Sequence, residues 1–228
     1  MTIRRMNIAI DGPAGAGKST VAKMVADKLT YIYIDTGAMY RALTFEVLKE
    51  NVDIHHEQDI FNVLQKTNIR LANDNGKQKI LINEQDVTED IRSSAVTSQV
   101  SYVAKHSKIR EEMVKRQQLL ADDGGVVMDG RDIGTTVLPK AELKIFLTAT
   151  VEERARRRHE EHLSKGQPSD LEKLKDDISM RDKLDSEREI APLKKANDAI
   201  EINSTSMSIN EVVEAILLMV KERREKVK

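Results

Sequence analysis

Gly12-Pro13-Ala14-Gly15-Ala16-Gly17-Lys18-Ser19 has the spacing G-x-x-x-x-G-K-S and follows an apolar run, Met6 to Ile10, that reads as a buried strand. Small residues at these positions let consecutive backbone N–H groups turn inward. The helix expected over Thr20 to Leu29 presents its positive end to the same point. Lys18 then reaches the β- and γ-phosphates, and Ser19 offers a hydroxyl to Mg²⁺. Residues Gly12, Pro13, Ala14, Gly15, Ala16, Gly17, Lys18, Ser19 and Thr20 are therefore read as a nucleoside triphosphate site. The competing explanation is a glycine-rich turn with a chance Lys-Ser.

The arginines carry the second signal. Moving a phosphoryl group between two phosphate-bearing molecules requires neutralising donor, acceptor and migrating group at once, and planar guanidinium forks grip phosphate oxygens in pairs. Arg41 follows Asp35-Thr36-Gly37 at the end of the second expected strand, and Arg131 stands in Asp129-Gly130-Arg131-Asp132 at the end of the third. Both should face a crevice at the strand ends. Arg154, Arg157 and Arg158 fall at i, i+3, i+4, and Arg181, Asp185 and Arg188 at i, i+4, i+7, so each set can share one helix face. Taken alone, either set is also explained by a solvated face of Glu and Lys pairs.

These residues need a scaffold. Short β-type runs at Met6–Ile10, Tyr31–Ile34, Val126–Met128, Leu143–Leu147 and Ala199–Ile202 alternate with helical segments, the pattern of a parallel sheet whose strand ends open onto a ligand crevice. Between Asn68 and Asn83, alternating Ile69, Leu71, Ile80 and Ile82 around Asn73-Asp74-Asn75-Gly76 predict an inserted antiparallel hairpin with a tight turn at the Asn-Gly step. From Thr150 to Arg188 the chain is charged, poor in large apolar residues and interrupted by Ser164 to Ser169, which suits a mobile lid better than a packed layer.

At 228 residues one principal core with smaller insertions is expected. Lys and Arg number 37 against 38 Asp and Glu, so no global field draws the chain to nucleic acid or an anionic membrane. Cysteine is absent, which removes disulfides, thiolate metal sites and cysteine nucleophiles. The first residues lead into strand without a secretory apolar segment, and nowhere do about 18 apolar residues run together. A soluble cytoplasmic protein is expected. The histidines, His55, His56, His106, His159 and His162, lack metal-binding spacing and are assigned surface roles, and Met24, Met113 and Met219 are assigned to the core.

Gly12 to Thr20, Asp35 to Arg41, Val100 to Ala104, Asp129 to Thr135 and Arg181-Asp182-x-x-Asp185-x-x-Arg188 together resemble the bacterial cytidylate kinases, in order and over nearly the whole chain. The resemblance implies a P-loop three-layer α/β fold with a five-stranded parallel sheet, a monophosphate-binding insert containing a small antiparallel sheet, and a helical lid. Its boundaries would be 1–36, 104–153 and 189–228 for the core, 37–103 for the insert and 154–188 for the lid. It implies transfer of the γ-phosphoryl of ATP to CMP or dCMP, with Mg²⁺ and no metal bound by protein ligands alone. Arg41, Arg131 and Arg188 would hold the acceptor phosphate, Ser101, Arg110 and Asp132 the cytosine, and Asp185 with Arg181 the sugar. Asp35, Thr36 and Asp129 complete the substrate set. Thr36 stands where a serine is common and keeps the hydroxyl. Lys18, Arg154 and Arg157 would stabilise the migrating phosphoryl, Arg157 also serving ATP, while the catalytic role of Arg131 would be, with Arg41 and Arg188, to hold the attacking oxygen in line.

Chemistry agrees with the base. Cytosine offers an amino donor at N4 and acceptors at N3 and O2, which suits a carboxylate and an arginine, whereas uracil reverses both polarities. Other readings stay open: Asp132 orienting Arg131 or capping the following turn, Arg110 as a helix-surface residue, and Asp129 either acting on Mg²⁺ through water or supporting the loop. The rival functions are a monophosphate kinase of other base preference such as UMP, an NTPase switch, or a nucleic-acid-binding module. The switch lacks an Asn-Lys-x-Asp motif, and four Tyr and three Phe give the module few stacking platforms. A monomer acting on small molecules is expected.

Overall fold

The computed structural model describes residues 5–74 and 77–226. Strands β1 (Ile8–Asp11), β2 (Ile32–Asp35), β6 (Val126–Gly130), β7 (Leu143–Thr148) and β8 (Ile200–Asn203) form a five-stranded parallel sheet in the order β2-β6-β1-β7-β8. A second, antiparallel sheet contains β3 (Ile69–Asp74), β4 (Lys77–Ile82) and β5 (Gln85–Asp86). The helices are α1 (Lys18–Leu29), α2 (Thr36–Lys49), α3 (Glu57–Lys66), α4 (Ser94–Ala104), α5 (Ser107–Leu119), α6 (Val151–Ser164), α7 (Leu171–Glu187) and α8 (Ile209–Lys226). This is the α/β class expected, and no helix among the described residues is long and apolar enough to cross a membrane.

The chain divides into two compact units, residues 34–120 and the remainder. In the remainder, β1, β6 and β7 are buried because their residues are apolar on both faces, and Val21, Ala22, Val25 of α1 and Val212, Val213, Ile216 of α8 close over the sheet. The expected strands all form, with shifted ends. Met6 and Asn7 fall outside β1 because their N–H groups donate to the Tyr31 hydroxyl and the Glu142 carboxylate instead of a ladder. β6 runs two residues further than expected, so Asp129 and Gly130 lie in the sheet opposite Ile10 and Asp11.

In the unit 34–120, α2 is apolar on two sides. Met39, Leu43 and Val47 pack with α3, α4 and α5, while Ala38 and Ala42 leave room for Ile80, Ile82 and Val87 of the small sheet. The hairpin register pairs Ile69 with Ile82 and Leu71 with Ile80, as the alternation requires. The two-residue strand β5 extends it, too short to be visible as a periodic pattern. The Asn75-Gly76 step lies outside the described residues.

The charged stretch after Thr148 folds as α6 and α7. Thr150 caps α6 by accepting from the Glu153 N–H at 3.2 Å, and Asp170 caps α7 by accepting from Lys173 at 3.1 Å. Ile178 is the one apolar residue of α7 that is fully buried, as the composition predicts.

Candidate active site

The phosphate loop leaves β1 at Asp11 and enters α1 at Lys18. Gly12, Gly15 and Gly17 all have positive φ, at 148°, 77° and 86°. That conformation is nearly closed to other residues. Gly17 turns the chain directly into helix, so α1 begins at Lys18, two residues before the expected start. The Lys18 ammonium folds back to donate to the Pro13 carbonyl at 2.7 Å and is only 5% exposed. Burial, then the neighbouring Arg131, lowers its pKa from 10.5 to about 7, against the pull of Asp129. Ser19 donates to one oxygen of Asp129 and Tyr33 to the other, both at 2.9 Å, so Asp129 does support the loop. Ala16 is buried under the loop and Thr20 is exposed.

Two arginines of this unit are tied to carboxylates on α7, and a third, at the end of that helix, reaches back to the segment after β6. Asp182 accepts from Arg154 at 2.7 Å, Asp185 from Arg131 at 2.7 Å, and Arg188, which ends the helix, donates to Asp132 at 3.4 Å. The Asp185 carboxyl is raised by burial but held below its ordinary value by Arg131, Arg181 and Arg188. Arg131 is held above its own for the same reason, Asp185 outweighing burial. Arg154 belongs to no solvated face. It is buried and donates to the Ala149 and Ala14 carbonyls, both at 2.9 Å, while Asp182 accepts from the Ala14 N–H at 3.3 Å. Ala14 is thus gripped at both its N–H and its carbonyl. Arg157 is half-buried and donates to Glu153 at 2.7 Å and to the Ser204 carbonyl at 2.6 Å. Asp182, Glu153 and Ser204 were not singled out in the sequence. Asp182 alone carried a signal, lying inside the Arg181 to Arg188 motif.

The unit 34–120 holds the other candidates. Asp35 caps α2 through Ala38 N–H at 2.7 Å and pairs with Arg41 at 3.0 Å, fixing that guanidinium from the start of the helix. Gly37 leaves the room, since a Cβ there would lie 3.0 Å from Arg41 Nη1. Arg41 Nε is buried with no hydrogen-bond partner among the described residues, a donor aimed at something further. Thr36 is buried and Ser101 half-buried. Arg110 is 2% exposed, which overturns its reading as a surface residue: α5 turns it inward with Ile109 and Met113. Its guanidinium lies 5.6 Å over the Tyr40 ring and donates to the Ala104 carbonyl at 3.2 Å.

Asp11 was also missed. It accepts from the Ile133 and Gly134 N–H groups, both at 2.7 Å. Burial raises its pKa from 3.8 to about 6, with Asp132 adding and the two N–H bonds and Lys18 opposing. The folded chain therefore holds this proton more tightly than the unfolded one. Its contribution to stability is complete below about pH 4 and is lost as pH rises through about 6. The stability of wild type relative to Asp11→Asn is expected to fall by on the order of 2–3 kcal/mol from acid to neutral pH. Denaturant unfolding of both proteins checks this, and a pH-independent difference would contradict it.

A family model described as cytidylate kinase matches residues 8–222. The cytidylate kinase of Geobacillus kaustophilus is 64% identical over 220 residues, 96% of this chain and 98% of that protein. That of Geobacillus thermodenitrificans is 61% identical over the same shares. A solved structure of an uncharacterized protein from Eubacterium ventriosum covers 96% of this chain and 99% of its own at a TM-score of 0.51 and 12% identity, a likeness of fold alone. The phosphate loop, the arginine and carboxylate pairs and this near-complete similarity lead to one assignment: the chain belongs to the cytidylate kinase family.

Proposed function

We propose that the chain transfers the γ-phosphoryl group of ATP to CMP or dCMP, giving ADP and CDP or dCDP. The observation that carries this reading is the similarity to cytidylate kinases over 96% of the chain. The geometry supports it with a mechanism. The attacking group is a phosphate oxygen already anionic at neutral pH, so catalysis rests on position and charge.

In the loop Gly12 to Thr20 the backbone N–H groups from Gly15 onward cradle the triphosphate, and Lys18 follows the charge onto the migrating phosphoryl. Ser19, oriented by Asp129, is the side chain suited to hold Mg²⁺, whose charge offsets that of the phosphates when it is bound. Arg131 and Arg188 hold the acceptor phosphate, with Arg41, whose buried Nε has no hydrogen-bond partner among the described residues, supplying a further donor. Asp185 and Arg181 take the sugar. Asp132, Arg110 and Ser101 read the base, and Asp35 and Thr36 set Arg41 and the start of α2. Arg154 acts through Ala14, and Arg157, anchored at Ser204, lies on the donor side. The segments 37–103 and 154–188 are the insert and lid, closing to keep water from the phosphoryl. The protein works as a cytoplasmic monomer on nucleotides alone, without nucleic acid or membrane. Light scattering should give about 26 kDa.

The test is ADP formation from ATP and Mg²⁺ with CMP, dCMP, UMP, AMP, GMP, TMP or no acceptor. CMP should exceed UMP by about 10²-fold or more in kcat/KM, because uracil sets carboxylate against carbonyl at position 4 and turns an N–H instead of an acceptor toward Arg110 at position 3. Asp132→Ala should cut that ratio to roughly 10-fold. Turnover indifferent to the acceptor would overturn the reading.

A further inference from the structure

The turn that follows β6 is capped from outside itself. Asp132 occupies the N-cap position of the turn at Ile133–Val137, yet its side chain makes no capping bond there. Its carboxylate lies on Arg188 instead. Asp132 serves the turn through its backbone carbonyl, which accepts from the Thr136 and Val137 N–H groups at 2.8 and 3.2 Å. The first two N–H groups of the turn donate to Asp11 across the sheet, and the second of them, that of Gly134, is one that a side chain at the Asp132 position would ordinarily take. Strand register brings this about: Asp11 lies opposite Gly130, so its carboxylate reaches the turn three and four residues further on. The fit is close on the far side too. A Cβ on Gly134 would stand 3.3 Å from Asp11 Oδ2 and 3.1 Å from Lys144 Cδ. Lys144 is itself pinned, donating to the Pro139 carbonyl at 2.7 Å and to Asp198 at 2.9 Å.

We propose that Asp11 is a positioning residue for the acceptor: by capping the turn in place of Asp132, it keeps the Asp132 carboxylate directed at the base. The inference rests on the acceptor role given to Asp132 and Arg131 above. Without the Asp11 carboxylate, two buried N–H groups need an acceptor, and the nearest carboxylate in sequence is that of Asp132. Once drawn into the cap, Asp132 no longer meets the cytosine amino group, and discrimination against uracil falls with it. Asp11 touches neither nucleotide in this scheme. It acts on base reading from the strand that launches the phosphate loop.

The experiment is steady-state kinetics of Asp11→Asn with CMP, UMP and ATP varied separately. One amide oxygen can serve only one of the two N–H groups, and the amide nitrogen opposes the other. The expected signature is a rise of about 10-fold or more in KM for CMP, a fall of about 10-fold in the CMP to UMP ratio of kcat/KM, and KM for ATP within about 3-fold of wild type. Gly134→Ala, which pushes on the same carboxylate without removing it, should shift the ratio in the same direction by about 3-fold, and it decides the matter if Asp11→Asn does not fold. Equal changes in both KM values, or an unchanged CMP to UMP ratio, would overturn the proposal. The acceptor reading fails separately, if wild type itself does not prefer CMP to UMP.

Discussion

Replacing Lys18 by methionine is expected to lower kcat about 10³-fold, the scale seen when a preorganised charge donor is removed from a developing anion. The side chain is nearly the same length and stays buried, so packing survives the change. What disappears is a positive charge held 2.7 Å from the Pro13 carbonyl and placed where burial and Arg131 make it costly. A charge that destabilises the protein by itself gains its value from the phosphates it meets. The unfolding midpoint of Lys18→Met should therefore equal or exceed that of wild type while turnover collapses. A midpoint that fell together with kcat would assign Lys18 to structure.

Gly12→Ala carries the largest structural penalty. At φ 148°, a Cβ on residue 12 would stand 2.0 Å from the Leu147 carbonyl oxygen, on a residue of β7 that the ladder with β8 pairs to Ile202. β7 cannot retreat without losing ladder bonds to β1 and β8, and the expected loss is about 3–5 kcal/mol, with nucleotide binding lost as the loop is displaced. Gly17 provides the comparison inside the same loop. Its φ of 86° is also unfavourable for alanine, but nothing lies within 4 Å of the added Cβ. Gly17→Ala should cost only about 1–2 kcal/mol, the strain of the conformation. Chemical denaturation of the two variants measures the order, and equal losses would mean that the contact with Leu147 is not what fixes Gly12.

Lys18, Ser19 and the strands were legible because their signals are local. A loop of fixed spacing, an apolar run of four or five residues and an alternation such as Ile80 and Ile82 announce themselves within a dozen positions. The roles of Asp11 and Asp182 were not, since each depends on a partner brought in by the sheet or by helix packing: Asp11 meets Gly134 across 123 positions, and Asp182 meets Ala14 across 168. Arg154 shows the limit in another way. Helical spacing placed it on one face with Arg157, but spacing alone cannot say which face turns inward, and the structure buries Arg154 against the loop while Arg157 is only half-covered. The surface alternative for Arg110 arose in the same way, since its neighbours Glu111 and Glu112 describe the outer side of α5.

The pairing of arginines with carboxylates has a consequence for what these residues ignore. Arg41, Arg131, Arg154 and Arg188 each carry an internal counter-ion, at Asp35, Asp185, Asp182 and Asp132. An incoming anion must compete with a carboxylate already within hydrogen-bond reach, and the charge it offers is no better than the one it displaces. Orthophosphate, abundant in any cell and bringing nothing else, gains little from that exchange. A nucleotide brings a base and a sugar as well, and their contacts tip the balance. Self-neutralised arginines thus act as a filter, giving up long-range attraction for phosphate in general in return for indifference to phosphate alone.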